Sequence, residues 1–470
     1  MLLILVPLLV LKTIGMQSKQ PLVAKETVPL ADKDAMARRL AAAIQFRTVS
    51  DEEGSHAGGA FLELHAHLQR SFPLVHQSLQ REVVGDYSLL FRWRGKNPKL
   101  QALLLAAHLD VVPASDEAWS HNPWSGDIAD GYVYGRGALD DKANVLGILE
   151  AAEQLLREGF QPERTIYFAF GHDEEIGGYN GAKAIAELLA SRDVALEAVI
   201  DEGLVITEGV LPGLDPPLAI IGVSEKGYLT VELTTSGQGG HSSIPPKKSA
   251  IGILGQAIVN LEANPMPGEI SGAVEAMFRY VGPELPFARK LVMANLWLFR
   301  GMVQSSLEKS QTTDALLRTT TAPTMFDAGV KSNVLAQKAR AVVNFRVKPG
   351  DTEDKVMAHV RRVVGKKVTA KVLESVDAQP ASRTDSRVFS IMQRSIRRID
   401  PSIVVAPGLM LALTDSRHYQ KICFDIYRFS ALRFGPEDLS RLHGVDERVS
   451  IENYAELVAF QILLLREGSQ

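Results

Sequence analysis

Cysteine is nearly missing from this 470-residue chain: Cys423 is the only one. A single thiol excludes an intrachain disulfide and a thiolate cluster, so any bound metal must sit on His, Asp and Glu. An excess of one charge is missing too. Lys and Arg number 51 against 55 Asp and Glu, a net charge of −4 with no long block of either sign. A nucleic-acid partner therefore has no electrostatic footprint. Internal repeats and low-complexity tracts are absent. So is a membrane-spanning run: Met1 to Leu11 is apolar, broken only by Pro7 and followed by Lys12, short of the roughly 20 residues a spanning helix needs. That run fits the core of a secretory signal, but no basic residue precedes it and no small-x-small cleavage site follows. Residues 1–30 read as a signal or anchor-like segment on a secreted, periplasmic or N-terminally membrane-anchored chain. A cytoplasmic chain with a buried amino terminus is the alternative.

What is present is the composition of a folded globular protein, 46% hydrophobic and 23% charged, long enough for two or three domains. Residues 31–47 have helical periodicity. Ala102 to Ala107, Thr165 to Phe170 and Leu196 to Ile200 are apolar strand candidates, and Asn144 to Arg157 lies between the first two as a helix. Strands alternating with helices predict an α/β sandwich around a largely parallel sheet, with ligands beyond the carboxyl ends of the strands. From Gly227 the texture becomes strand-like alternation. A helix follows over Ser249 to Glu262, then a strand at Ala339 to Val347 and a helix near Asp354 to Val364. This α+β stretch predicts a domain inserted into the first. The α/β pattern resumes near Arg387, and a closing helix runs from Ile451 to Leu465.

The ends of the candidate strands carry the chemistry. His108 and Asp110 follow the first, Glu174 and Glu175 the second, and Asp201 and Glu202 the third. Asp140 and Asp141 stand in a Gly-rich turn before a helix, where capping alone would explain them, and His443 lies near the carboxyl end. Each is unremarkable singly. Jointly, imidazoles and carboxylates at one sheet edge point to a carboxylate-bridged pair of cations, with zinc the economical choice. Two such ions suit amide hydrolysis, and a carboxylate that is not a ligand must then shuttle the proton.

Five segments carry a resemblance: Ala-His-Leu-Asp-Val-Val-Pro at 107–113, Gly-Arg-Gly-Ala-Leu-Asp-Asp-Lys at 135–142, Gly-His-Asp-Glu-Glu at 171–175, Asp-Glu-Gly at 201–203 and Thr-Asp-Ser-Arg at 414–417. In this order they resemble the co-catalytic zinc aminoacylase and carboxypeptidase family, peptidase family M20. Val-Ser-Glu-Lys-Gly at 223–227, Gly-His-Ser-Ser at 240–243, Arg-Thr-Thr-Thr-Ala at 318–322 and Asn-Phe-Arg at 344–346 are similar to its carboxypeptidase S and N-fatty-acyl amino acid hydrolase branch. The resemblance implies a zinc-exopeptidase-like α/β sandwich over 31–226 and 376–470, with an inserted α+β lid, of the dimerisation type, over 227–375. It implies two Zn²⁺ per chain, replaceable by Co²⁺ or Mn²⁺. Asp140 would bridge, with Glu175 and His443 on one ion and His108 and Asp201 on the other. Glu174 would be the general base and acid, Asp110 the partner of His108, and the Asp140–Asp141 peptide cis. In the lid, His241 would reach the scissile carbonyl, in dimeric relatives from the neighbouring subunit. Asn333, Arg346 and Arg417 would hold the substrate. Relatives often have Gly just before Thr-Asp, where this chain has Ala412 and Leu413, a change that bears on pocket shape rather than on the metal centre.

The apolar cluster within 283–321 is expected to line a channel for a long acyl chain, or to pack against the lid core or a partner subunit. The expected activity is hydrolysis, and by reversal synthesis, of N-acyl amino acids. A carboxypeptidase or dipeptidase acting on short peptides would use the same residues, and a non-catalytic metal-binding sensor is the third class. A homodimer through the lid and association of the amino terminus with a membrane are further expectations.

Overall fold

In the computed structural model, all residues are described except 1, 31, 51–57, 116–117, 210 and 212, together with the side chains of residues 2 and 3. The chain opens with helix α1 (Leu2–Gly15), an extended stretch, and α2 (Lys33–Ile44); position 31, the first of the expected helix, lies outside the described residues. The main sheet then begins with β1 (Gln80–Val84), β2 (Ser88–Trp93) and β3 (Ala102–His108). Helix α3 (Lys142–Arg157), β4 (Ile166–Gly171), α4 (Ala182–Ser191), β5 (Leu196–Thr207) and β6 (Leu218–Glu225) follow. A second sheet takes β7 (Gly227–Ser236), β8 (Thr320–Ala328), β9 (Lys338–Val347) and β10 (Thr369–Val376). Around it come α5 (Ala250–Ala263), α6 (Gly272–Val281), α7 (Phe287–Ala294), α8 (Leu296–Leu307), α9 (Gln311–Leu317) and α10 (Glu353–Val364). Helix α11 (Arg387–Ile399), β11 (Val404–Met410), β12 (Ile426–Phe434) and α12 (Ile451–Gly468) return to the first sheet.

The main sheet has the order β1-β2-β4-β3-β5-β12-β6-β11. Its centre is parallel, through β4–β3, β3–β5 and β5–β12, and so is the edge pair β6–β11, whereas β12 meets β6 antiparallel. The short β1–β2 connection forces an antiparallel pair, and β2 meets β4 antiparallel as well; a parallel pair would need a crossover of a dozen residues or more. β3 shows why the centre reads as an unbroken apolar run. Leu103, Leu105 and Ala107 pack into the cluster shared with α2, α3 and α12, whereas Leu104 and Ala106 pack with Ile185 and Leu189 of α4. Alternate side chains thus feed opposite layers, both dry.

The second sheet, ordered β8-β9-β7-β10, is antiparallel. One face carries Leu229, Val231 and Leu233 of β7 and Val343 and Phe345 of β9 against Leu254 and Leu261 of α5 and Val356 and Val360 of α10. The other face is half exposed, which accounts for the alternation in sequence. The expected insertion, 227–375, does not pack as one unit. Residues 270–317 join the core of the main body instead, through Val274, Phe278, Val281, Val303 and Leu317. Tyr280 of α6 meets Phe389 of α11 edge to face. Their apolar face covers the β11 edge, which would otherwise offer unpaired main-chain groups to other chains.

Candidate metal centre and catalytic cavity

The carboxyl ends of β3 and β4 and the turn before α3 converge on one point. His108 ends β3, and its Nε2 lies 2.8 Å from Asp140 Oδ1. The Nε2 of His443 lies 3.0 Å from the other oxygen, Oδ2, and 3.4 Å from Glu175 Oε2. Two imidazoles therefore address opposite oxygens of one carboxylate. Donor atoms of His108, Asp140 and Glu175 lie within 4.8 Å of one another, and Glu175 Oε1 is buried with no protein partner. Nitrogen and carboxylate donors without thiolate fit divalent cations of the zinc, cobalt or manganese type.

The surroundings fix these groups. His108 Nδ1 faces the main-chain oxygen of Asp110 at 3.0 Å and its carboxylate at 3.4 Å. The Asp110 carboxylate is mainly engaged elsewhere: it accepts the N–H groups of Glu174 and Glu175, each at 3.1 Å, and so sets the turn that aims both glutamates. The Asp140–Asp141 peptide is cis. Asp141 caps nothing with its side chain; it accepts His108 N–H at 3.1 Å and the Asn144 amide at 2.5 Å. Gly137 in the same turn has φ 92° and lies against Val111 and Lys142, where a Cβ would find contacts of 3.0 and 3.1 Å.

Sequence reading overlooks Glu447. Its Oε1 accepts N–H from Gly137, Leu139 and Asp140 at 3.0, 2.7 and 3.1 Å, and its Oε2 takes Arg136 at 2.6 Å. This buried carboxylate holds the Asp140 turn from a segment more than 300 residues away. The only signal is its place four residues after His443, in Gly-Val-Asp-Glu-Arg.

Carboxylates outnumber cations here, and their proton affinities record it. Burial works against ionisation of Asp140, but hydrogen bonds from His108 and His443 outweigh it and hold the carboxyl below its usual range. His443 is pushed up to about 10 by Asp140 and then Glu175. Glu174 is held well above the usual range by burial, with Asp415, Glu175 and Glu202 adding to it against His108. Glu202 is raised likewise by burial and then by Asp140. Asp415 is buried with both oxygens unpartnered. The concentration of negative charge is what bound cations would neutralise.

Asp201 stands apart from the His108–Asp140–Glu175 group. Its oxygens accept N–H from Glu202 at 3.0 Å and from Ser416 at 2.8 Å. Glu174, Glu175, Arg346, Arg417 and His443 all line one cavity of about 580 Å³, shared between the body and the second sheet, with Tyr228, Ala412 and Leu413 also in its wall. The Arg346 guanidinium lies 4.9 Å over the Tyr228 ring. Arg417 donates to the carbonyls of Gly177 and Thr414 at 2.6 and 3.1 Å. His241 and Asn333 are exposed and are not among the cavity's lining residues. His241 pairs with Val334 in a two-stranded ribbon, its Nδ1 2.8 Å from the Ser243 hydroxyl, and the Asn333 carbonyl accepts Ser242 N–H.

A match to peptidase family M20/M25/M40 runs over residues 104–467. The chain belongs to this family. It is thus a hydrolase of the metallopeptidase class. A probable carboxypeptidase S-like 2 of Dictyostelium discoideum is 42% identical, covering 98% of this chain and 91% of the relative. The N-fatty-acyl-amino acid synthase/hydrolase PM20D1 of Xenopus tropicalis is 42% identical over 93% of this chain and 87% of its own. Among solved structures, an M20 family metallo-carboxypeptidase of Sulfolobus solfataricus shares the fold, with a TM-score of 0.66 at 19% identity, covering 92% and 98% of the two chains.

Proposed function

We propose that the protein hydrolyses N-acyl amino acids, and forms them by the reverse reaction, in the cavity that joins Glu174 to Arg346. The observation that carries this reading is the pairing, in one cavity, of a half-buried carboxyl, Glu174, beside a metal-type donor group with a guanidinium suited to a free carboxylate. Two divalent ions, with His108, Asp140, Glu175, Asp201 and His443 as their proposed ligands, would acidify a water and polarise the scissile carbonyl. Glu174 takes the water proton and delivers it to the departing amide nitrogen as the C–N bond breaks and the C–O bond forms. A carboxylate in the cavity wall that is not a ligand can hold that proton between the two steps. Arg346, with Arg417 fixed at the same wall, binds the substrate carboxylate. Asp110 sets the Glu174 turn, and its main-chain oxygen orients His108. His241 and Asn333 reach the substrate only when the lid closes or a second copy docks through it. The catalytic body is assigned to 31–226 and 376–470 and the lid to 227–375, the strands β7–β10 being its working part.

The likeness to a carboxypeptidase S-like relative supports a second reading, a carboxypeptidase on short peptides. The zinc-reconstituted protein should release free amino acid from N-acetyl and N-oleoyl amino acids faster than from dipeptides. Preference for dipeptides selects the second reading, and bound metal without turnover on any substrate contradicts both. The helices 287–317 bear on chain length. They enclose an apolar cavity of about 330 Å³ that shares no lining residue with the cavity over Glu174. Equal or better turnover of acetyl substrates would therefore remove the acyl channel from the account.

A further inference from the structure

Glu225, which closes β6, and Arg428 of β12 form a buried ion pair that lines neither the catalytic cavity nor the metal-type donor group. Such a pair is weak evidence for stability, because apolar side chains of similar volume often serve as well. What this one holds is the main chain beside the site. Glu225 Oε2 accepts Arg428 Nε–H at 3.0 Å, and it also accepts the N–H and the hydroxyl of buried Thr414 at 3.2 and 3.3 Å. Thr414 opens the segment that carries Arg417. Its carbonyl accepts one terminal N–H of Arg417 at 3.1 Å, and the Gly177 carbonyl accepts the other at 2.6 Å and lies 2.9 Å from His418 Nε2. The segment is thus fastened at one end to Glu225 and at the other to the turn after Glu175.

The same pair is joined to the root of the second sheet. The chain first enters that sheet at Gly227 and finally leaves it at Val376. These two strand ends touch: a Cβ on Gly227 would stand 2.4 Å from the Val376 carbonyl oxygen and 2.5 Å from Ala378 N. Arg428 donates to Gln379 Oε1 at 2.8 Å, just past that exit. The exit segment is stitched to β6 in turn, with the Ser224 hydroxyl donating to Gln379 O at 2.8 Å and Ser382 N–H to Val223 O at 2.7 Å. On β7, Tyr228 follows Gly227 and stands opposite Arg346 of β9. One buried pair therefore reaches Arg417 through Thr414, and the strand pairing that places Arg346 through Gln379.

Two guanidiniums in one cavity wall repel each other. Burial, and among the neighbouring charges Arg417, lower the Arg346 guanidinium from its ordinary value against the opposite pull of Tyr228. Their relative placement needs a scaffold that the cavity itself does not supply, and a planar fork loses its match to a carboxylate when it is turned or shifted.

We infer that Glu225 and Arg428 are positioning residues for a two-arginine clamp, holding Arg417 relative to Arg346 so that one substrate carboxylate meets both. This rests on the reading of Arg346 and Arg417 as the carboxylate anchors. The test compares an N-acetyl amino acid with its carboxamide, as kcat/KM in the zinc-loaded full chain and as Kd by calorimetry in the zinc-loaded Glu174→Gln background, where binding is read without turnover. The wild type should prefer the carboxylate. Glu225→Gln should cut that preference about 10- to 100-fold, chiefly through KM. Thr414→Val, which keeps the ion pair, should cut it less, and it decides the matter where Glu225→Gln does not fold. A merely structural role would lower the unfolding temperature, or turnover of both substrates together, with the preference unchanged; that result overturns the inference. A preference lost in Arg417→Ala but kept in Glu225→Gln and Thr414→Val overturns the positioning role alone, whereas a wild type without the preference overturns the anchor reading and the clamp with it.

Discussion

Replacing Glu447 by Gln tests how the Asp140 turn is built. Glu447 is fully buried, as is Arg136, its partner at 2.6 Å. The substitution keeps the shape but turns one oxygen into a donor that faces another donor, and it leaves a buried guanidinium without its counter-ion. Removing one member of such a pair costs about 3–5 kcal/mol. Arg136 keeps the Gly444 carbonyl at 3.1 Å and the Trp119 ring at 5.4 Å, which favours the lower end. The remaining oxygen still accepts the three N–H groups, though each bond loses its charge assistance. The unfolding temperature should therefore fall by about 3–5 °C. Because Asp140 N–H is one of the three, zinc affinity should fall roughly 10- to 100-fold as well. Calorimetry with metal-buffered titration reads both quantities, and the double variant with Arg136→Met should recover part of the stability. A loss under about 1 kcal/mol together with unchanged zinc affinity would refute the role given to Glu447.

Three further outcomes follow from the same geometry. Burial, and then the Arg81 guanidinium, lower the His65 imidazole to about 4 from 6.5. The unfolded chain then binds more protons between those values, so stability falls as pH drops through this window, by roughly 3 kcal/mol at most; His65→Gln should flatten the slope, and an identical slope contradicts the assignment. Arg346→Ala should raise KM about 10- to 100-fold with kcat little changed, with Arg346→Lys between; an unchanged KM in steady-state assays would remove Arg346 from carboxylate binding. Chelation should lower the unfolding temperature and added zinc restore it, because Asp140, Glu174, Glu175 and Glu202 would otherwise repel one another. The gain should be about 4 kcal/mol at a thousandfold excess over Kd, and no shift in a thermal scan would count against a metal centre.

His108, Asp140, Glu175 and His443 were readable in the sequence because imidazoles and carboxylates stand directly after apolar strand runs and in Gly-rich turns, and the structure brings these four together. The body's strands were readable for the same reason, since β3 and β4 are buried on both faces. The packing of residues 272–317 on the main body's core was not readable: helical spacing of Val274, Phe278 and Val281 says that a face is apolar, not which sheet it meets. Glu447 was silent because its work is a contact with main-chain N–H groups far away in sequence. Asp110 was assigned to the His108 ring, which its carboxylate faces at 3.4 Å; that the same carboxylate also accepts the N–H groups of the Glu174 turn is what spacing alone does not show. His241 and Asn333 carried a motif without a location, and in the single chain both lie outside the cavity.

The most direct test of the central claim is Glu174→Gln in the zinc-loaded protein, with bound metal and hydrolysis of N-acyl amino acids measured on the same sample. The account predicts wild-type metal content with turnover reduced at least about 10²-fold. Turnover within tenfold of wild type, with the metal retained, would contradict it.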